Sequence, residues 1–222
     1  MRAFFLEDAD VNALEVKIDD YQHHHYVHVL RGKLDDSVLV VNGKGLKLCG
    51  KVTNISKKSL EISIESYSLS ERSVMTEIAI GIPKKDYLID ILRMATEIGV
   101  LAIHLISVDR TPWKFKYGER FDKVIMAALL QSNNLHLPEV YIYSNLSDFI
   151  EKLGTKKVLA FTTELNEETG ASASVVLVGP EGGFSDSELK MLTSSENILL
   201  TRLPNPIMKS VTAVPFALGK IQ

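Results

Sequence analysis

An α/β protein of two modules, a small amino-terminal β-barrel ahead of a mainly parallel sheet between helix layers, is the fold class predicted by these 222 residues. Three observations predict it. Residues 1–72 read as short strands punctuated by turns, whereas strands and helices alternate over 73–222, as where crossovers build a parallel sheet. Val175–Val178 is an unbroken apolar run, which suits a strand covered on both faces. Gly179-Pro-Glu-Gly-Gly-Phe-Ser185 follows it directly, so a glycine turn stands at the carboxyl end of a strand, where ligands bind in open α/β folds.

The helix of the first module spans Tyr21–Leu30, capped by Asp19 or Asp20 and ended by Gly32. Ser37–Val41 is a strand rich in β-branched residues, and Asn42-Gly43-Lys44-Gly45 then signals a hairpin. Leu46–Ile55 returns as a strand, Ser56-Lys57-Lys58-Ser59 turns, and Leu60–Glu65 alternates with period two. Several strands and one helix in about seventy residues suggest a small barrel. Tyr67–Ser73, with three serines, reads as the linker.

In the second module Glu77–Ile82 is a strand stopped by Pro83. Asp86 caps a helix in which Leu88, Ile91, Leu92, Ala95 and Ile98 recur at helical spacing before Gly99 ends it. Ala102–Ser107 is a strand, Glu119–Ser132 a helix, Glu139–Tyr143 a strand, Ser147–Leu153 a helix and Lys156–Thr162 a strand. After Val175–Val178, Ser185 and Glu188 form a capping box for the next helix. Ile198–Leu203 is a further strand and Lys209–Ile221 a closing helix, while polar Asn166–Ser174 is the expected mobile loop.

Composition narrows the function classes. Cys49 is the sole cysteine, which excludes an intrachain disulfide or a cysteine-based metal site and suits a reducing, cytoplasmic setting. No apolar stretch nears the ~18 residues of a membrane span, and Met1-Arg-Ala-Phe-Phe-Leu-Glu-Asp8 turns acidic too early for a signal peptide. A net charge of −3 speaks against non-specific coating of nucleic acid. Between Gln22 and Leu60, however, Arg31, Lys33, Lys44, Lys47, Lys51, Lys57 and Lys58 outnumber Asp35 and Asp36, with four histidines in addition. That window fits either a polyanion-binding surface or the solvated face of a small β-domain.

Gly179–Ser185 followed by Glu188 closely resembles the signature of the RsmE-type ribosomal RNA methyltransferases, members of the knotted SPOUT class. Further pieces in the same order extend the resemblance over nearly the whole chain. They are Val29-Leu30-Arg31, Asp35 or Asp36 ahead of Asn42-Gly43, Ile82-Pro-Lys-Lys-Asp86, Ala95-Thr-Glu-Ile-Gly-Val100, Asp109-Arg110-Thr111, and Gln131-Ser132 with Pro138-Glu139-Val140. The resemblance implies a PUA-like barrel for RNA, a deep carboxyl-terminal trefoil knot, a homodimer, and methyl transfer to N3 of a uridine in 16S ribosomal RNA of the small subunit. It also implies S-adenosylmethionine bound in the knot without a metal, held largely by main-chain groups. Carried over, the cofactor residues are Phe161, Thr162, Gly179, Pro180, Glu181, Gly182, Gly183, Leu203, Pro204, Ile207 and Met208. Lys209 becomes the catalytic candidate, as the cation that steers the substrate anion. Arg2, His24, Arg31, Arg110, Asn134 and Lys209 are the RNA candidates.

Plainer roles stand beside these. Arg2 and Arg31 could pair with carboxylates, Glu181 could bond its own turn, Arg110 could tie down the Asp109 loop, and Trp113 and Phe115 could pack in a core or dimer interface. His24 and His28 lie at metal-ligand spacing, but no third ligand is in view. The segment Leu203–Ala213 departs from the family pattern: Pro204 replaces a glycine, Pro206 and Lys209 replace arginines, and Val211 replaces a glutamate. Lysine keeps the cation but loses the planar fork of arginine. Two further functions therefore remain open, an RNA-binding relative without turnover and an unrelated α/β enzyme that binds phosphate or a nucleotide at the same turn.

Overall fold

The computed structural model describes residues 2–162, 173–202 and 207–221. They pack as two compact units, Met1–Ser73 with Leu129–Leu137, and Val74–Ala128 with Pro138–Gln222.

The first unit holds a five-stranded sheet of β1 (Arg2–Phe5), β2 (Glu15–Asp19), β3 (Ser37–Val41), β4 (Leu46–Ile55) and β5 (Ser59–Leu69), in the order β1-β3-β4-β5-β2. β1 runs parallel to β3 and the other pairs are antiparallel. Alternation along β2, β4 and β5 turns Val16, Ile18, Leu48, Val52, Leu60 and Ile62 into one core with Phe4 and Tyr26. Leu69 pairs with Leu46, so the stretch expected to be linker from Tyr67 is still strand: the ten-residue β4 carries its partner that far.

The expected Tyr21–Leu30 helix is instead α1 (Asp20–His24) passing into a π-helical turn, His25–Val29. Asp19 precedes it in extended conformation and makes no side-chain cap. Gly32 does not supply the left-handed terminus; Arg31 does, with φ 50°. Gly32 is required for room, because a Cβ there would stand 2.1 Å from the Tyr26 ring. The Tyr26 hydroxyl and the Lys33 N–H both donate to Asp36, which also pairs with Arg2. Burial, helped by Asp36, pushes the Tyr26 hydroxyl up to about 12, while the Lys33 N–H and Tyr26 hold Asp36 below the usual carboxylate range.

The second unit is built on β6 (Glu77–Gly81), β7 (Ala102–Ile106), β8 (Glu139–Tyr143), β9 (Val158–Phe161), β10 (Val175–Val178) and β11 (Ile198–Thr201). All pairs are parallel, in the order β11-β9-β10-β6-β7-β8. α2 (Lys85–Ile98) packs on α6 (Ser210–Ile221), and α6 on β10. α4 (Leu146–Lys152) and α5 (Asp186–Ser194) bring Leu146, Phe149 and Leu192 into a core with Ala79, Ala160 and Leu177. α3 (Glu119–Ser132) ends within the first unit. α2 starts at Lys85, so Asp86 stands in its first turn, where it meets the helix dipole, and not at the cap. Gly99 does end α2, left-handed at φ 85°. Most of Asn166–Ser174 lies outside the described residues.

Toward the amino edge of this sheet Glu77 is buried and fully partnered. Lys156 Nζ reaches its two oxygens at 2.7 and 2.9 Å, and His104 Nε2 lies 2.8 Å from Oε2. Burial outweighs the pull of Glu77 and lowers the His104 pKa. A neutral ring with its proton on Nε2 satisfies both neighbours, donating to Glu77 and accepting from the Tyr143 hydroxyl at Nδ1, 3.0 Å away. Among the described residues no helix is long and apolar enough to cross a membrane.

Candidate functional site

The carboxyl ends of β9, β10 and β11 surround a cavity of about 220 Å³. β10 is inserted between β9 and β6, and such a reversal of strand order leaves a crevice at the strand ends. Phe161 and Thr162 enter the cavity from β9, Gly179, Pro180, Glu181, Gly182 and Gly183 from β10, and Ile207 and Met208 from the approach to α6. Leu203 and Pro204 lie outside the described residues. Val178, Arg110, Phe184, Leu189, Arg202, Ser210 and Ala213 complete the lining.

The turn owes its shape to local chemistry. Gly183 takes φ 67°, a left-handed conformation that side chains disfavour, and its N–H donates to Pro180 O at 2.8 Å. The capping box forms as expected: the Ser185 hydroxyl accepts from Glu188 N–H, and Glu188 accepts from Ser185 N–H at 2.8 Å. Glu181 reaches away from its own turn, to the Lys84 N–H at 3.4 Å. Arg110 donates to Gly182 O at 2.6 Å, and Trp113 donates from its indole to Pro83 O at 2.7 Å.

Two buried side-chain hydroxyls, Thr162 Oγ1 and Ser210 Oγ, have no hydrogen-bond partner among the described residues, and both line this cavity. Buried polar atoms are normally paired, so these two fit a ligand that brings its own polar groups. Phe161, Phe184, Met208 and Ala213 supply apolar walls for the rest of such a molecule.

Of the RNA candidates, Arg110 alone lines this cavity. Lys209 is exposed, with Nζ 5.6 Å from the centre of the Tyr87 ring, and does not line the cavity. Arg2 is held by Asp36 and by Leu30 O at 2.8 Å. His24 and Arg31 are exposed, and the His24 and His28 rings pack 4.5 Å apart. No group of three or more metal-ligating residues occurs among the described residues. Asn134 lines a groove of about 160 Å³ within the first unit, with Lys47, Leu39 and Leu130. Sequence reasoning missed Ser210, although it adjoins Lys209, and missed Arg202, which carries no local motif.

A family described as RNA methyltransferase domain matches residues 70–222, and one described as RNA methyltransferase PUA domain matches 18–65. Ribosomal RNA small subunit methyltransferase E of Rickettsia conorii is 26% identical over 219 residues, covering 94% of this chain and 89% of that protein. Its Synechocystis namesake is 27% identical over 219 residues, covering 93% and 72%. Among solved structures, ribosomal RNA small subunit methyltransferase E from Neisseria gonorrhoeae, bound to S-adenosyl methionine, superposes with a TM-score of 0.89 at 22% identity, covering 100% of this chain and 97% of that one. The superposition establishes a shared fold. With the catalytic-domain family spanning the whole second module, the chain belongs to the RNA methyltransferase domain family.

Proposed function

We propose that this chain is a cytoplasmic, S-adenosylmethionine-dependent methyltransferase acting on N3 of a uridine in 16S ribosomal RNA of the small subunit. One observation carries the reading: buried Thr162 and Ser210 hydroxyls, without a partner among the described residues, beside a glycine turn and apolar walls at the carboxyl edge of a parallel sheet. A thioether and a purine need such walls plus a few polar contacts. When bound, S-adenosylmethionine supplies an electrophilic methyl group on sulfur. Phe161, Phe184 and Met208 exclude water from around it, and Gly182 and Gly183 let main chain approach closely. Thr162 and Ser210 fix its orientation, and holding the reacting atoms at near-attack distance is most of what methyl transfer needs.

Uridine N3 carries a proton that must leave, so negative charge develops on the uracil. Lys209, between Met208 and Ser210, is the cation assigned to hold it. His24, Arg31 and Asn134 supply RNA contacts on the first unit, whose surface Arg2 shapes through Asp36. The carboxyl-terminal trefoil knot and a homodimer sharing the RNA site belong to the same proposal.

Calorimetry with S-adenosylmethionine should show saturable binding, and small subunits from a strain lacking the modification should gain a methyl group at a uridine N3. A folded chain that does neither would sink the proposal. A second reading, an RNA-binding relative without turnover, is favoured by Lys209 resting over Tyr87 and outside the cavity lining. Cofactor binding without methylation would select it. Family membership removes the unrelated α/β enzyme.

A further inference from the structure

We infer that Arg110 is a positioning residue for the cofactor turn: its guanidinium clips the loop after β7 onto Gly182 and keeps Gly179–Gly183 in the shape that lines the cavity. The inference rests on the S-adenosylmethionine reading above.

Arg110 Nη1 donates to the Gly182 carbonyl at 2.6 Å. The stem of the same side chain covers that residue, since a Cβ on Gly182 would lie 3.2 Å from Arg110 Cβ and 3.3 Å from Cδ. Beyond the turn a second tie repeats the connection: Ser185 Oγ donates to Asp109 Oδ2 at 2.5 Å, and Asp109 N–H donates to Glu188 Oε1 at 2.9 Å. The loop is in turn anchored to the segment after β6 by Trp113 and Pro83, while that segment meets the turn through Lys84 and Glu181. The chain leaving β6, β7 and β10 is thus tied into one ring, and Arg110 is the link that grips the middle of the turn. Glycines lose more backbone freedom on ordering than any other residue, so a turn containing Gly182 and Gly183 needs an external hold to stay in one shape. A guanidinium used in this way governs affinity for the cofactor. A phosphate contact would govern affinity for RNA.

Arg110→Ala and Arg110→Gln are compared with the wild type by S-adenosylmethionine titration, steady-state methylation of small subunits, and amide hydrogen exchange at Gly182 and Gly183. In Arg110→Ala, cofactor affinity should fall about tenfold, the scale of one lost hydrogen bond to a charged donor. Its kcat at saturating cofactor and its KM for the subunit should stay within about twofold. Exchange at Gly183 should quicken. Arg110→Gln keeps an N–H donor without the charge and should recover part of the cofactor affinity, whereas loss of a phosphate contact would show in the KM for the subunit. It is also the variant to use should Arg110→Ala fail to fold. Unaltered exchange, or unaltered cofactor affinity with a raised KM for the subunit, overturns the inference. Should the wild type bind no S-adenosylmethionine, the proposed function fails, and the exchange measurement alone decides the role of Arg110.

Discussion

The two ends of the six-stranded sheet are made from the same strands and treat polar groups in opposite ways. From the amino edge, where Glu77 is met by Lys156 and His104, the partners run through mid-β7 to Tyr143 at the end of β8, so each buried charge or ring nitrogen of this network has a partner within the fold. At the carboxyl edge, the buried hydroxyls of Thr162 and Ser210 have none among the described residues, and a left-handed glycine replaces side-chain packing with open space. Saturation makes the first end a source of stability. Leaving a buried hydroxyl unmade costs about 1–3 kcal/mol, which the second end accepts in exchange for a place where a ligand can complete the bonding. A parallel sheet therefore divides its work along the strand direction, with cohesion behind and recognition in front.

Breaking the saturated end should have the largest effect. Glu77→Ala leaves the buried His104 N–H without its acceptor and a space where the carboxylate stood, which together cost about 3 kcal/mol, while half-exposed Lys156 can turn to water. Urea unfolding should show that loss, while the protein that remains folded keeps its affinity for S-adenosylmethionine. Gly182→Val should do the reverse. The new side chain meets Arg110 and the cavity, so affinity should fall about a hundredfold, near 2.7 kcal/mol, with a melting temperature within about 3 °C of wild type. Parallel losses in both variants would erase the distinction between the two ends.

The saturated end should also respond to pH. His104 has a folded pKa below its ordinary 6.5, so the unfolded chain takes up a proton more readily. Its contribution to stability is full above about 6.5 and is lost as pH falls toward the folded value, by at most about 1.4 kcal/mol per pH unit. Unfolding free energies at pH 7.5 and about 5.5 should therefore differ more in the wild type than in His104→Gln. An equal slope in the two proteins would mean that folding leaves the affinity of the ring for a proton unchanged, and a wild type that gains stability on acidification would mean that the folded ring is charged.

Much of this architecture was legible because its signals are local. Leu88, Ile91, Leu92 and Ala95 recur at helical spacing and all are buried, and Gly99 and the Ser185–Glu188 box end and begin helices where expected. Strand order was not legible. Insertion of β10 between β9 and β6, and the parallel pairing of β1 with β3, are long-range choices that leave no mark on neighbouring residues. The Asn42–Gly45 hairpin signal was sound, yet part of its cause lies far along the chain. Leu137 N–H donates to Gly43 O at 2.8 Å, and a Cβ on Gly45 would come within 2.3 Å of Ser70 O. At the site, the motif exposed the glycine turn and the approach to α6. It could not expose Arg110 as the partner of a carbonyl 72 positions away, nor a hydroxyl defined by the bond it lacks.

Removing such a hydroxyl gives the smallest effect and the clearest sign. Ser210→Ala deletes a buried hydroxyl that has no partner among the described residues, so the ligand-free chain should gain up to about 1 kcal/mol in urea unfolding, whereas affinity for S-adenosylmethionine should fall about three- to tenfold. Alanine also favours the first turn of α6, which adds to the gain, so Thr162→Val outside any helix is the companion variant. Opposite changes in stability and affinity follow only if each hydroxyl waits for a ligand. A chain destabilised by either substitution, with its affinity intact, would place the missing bond inside the protein and make the carboxyl edge as saturated as the amino edge.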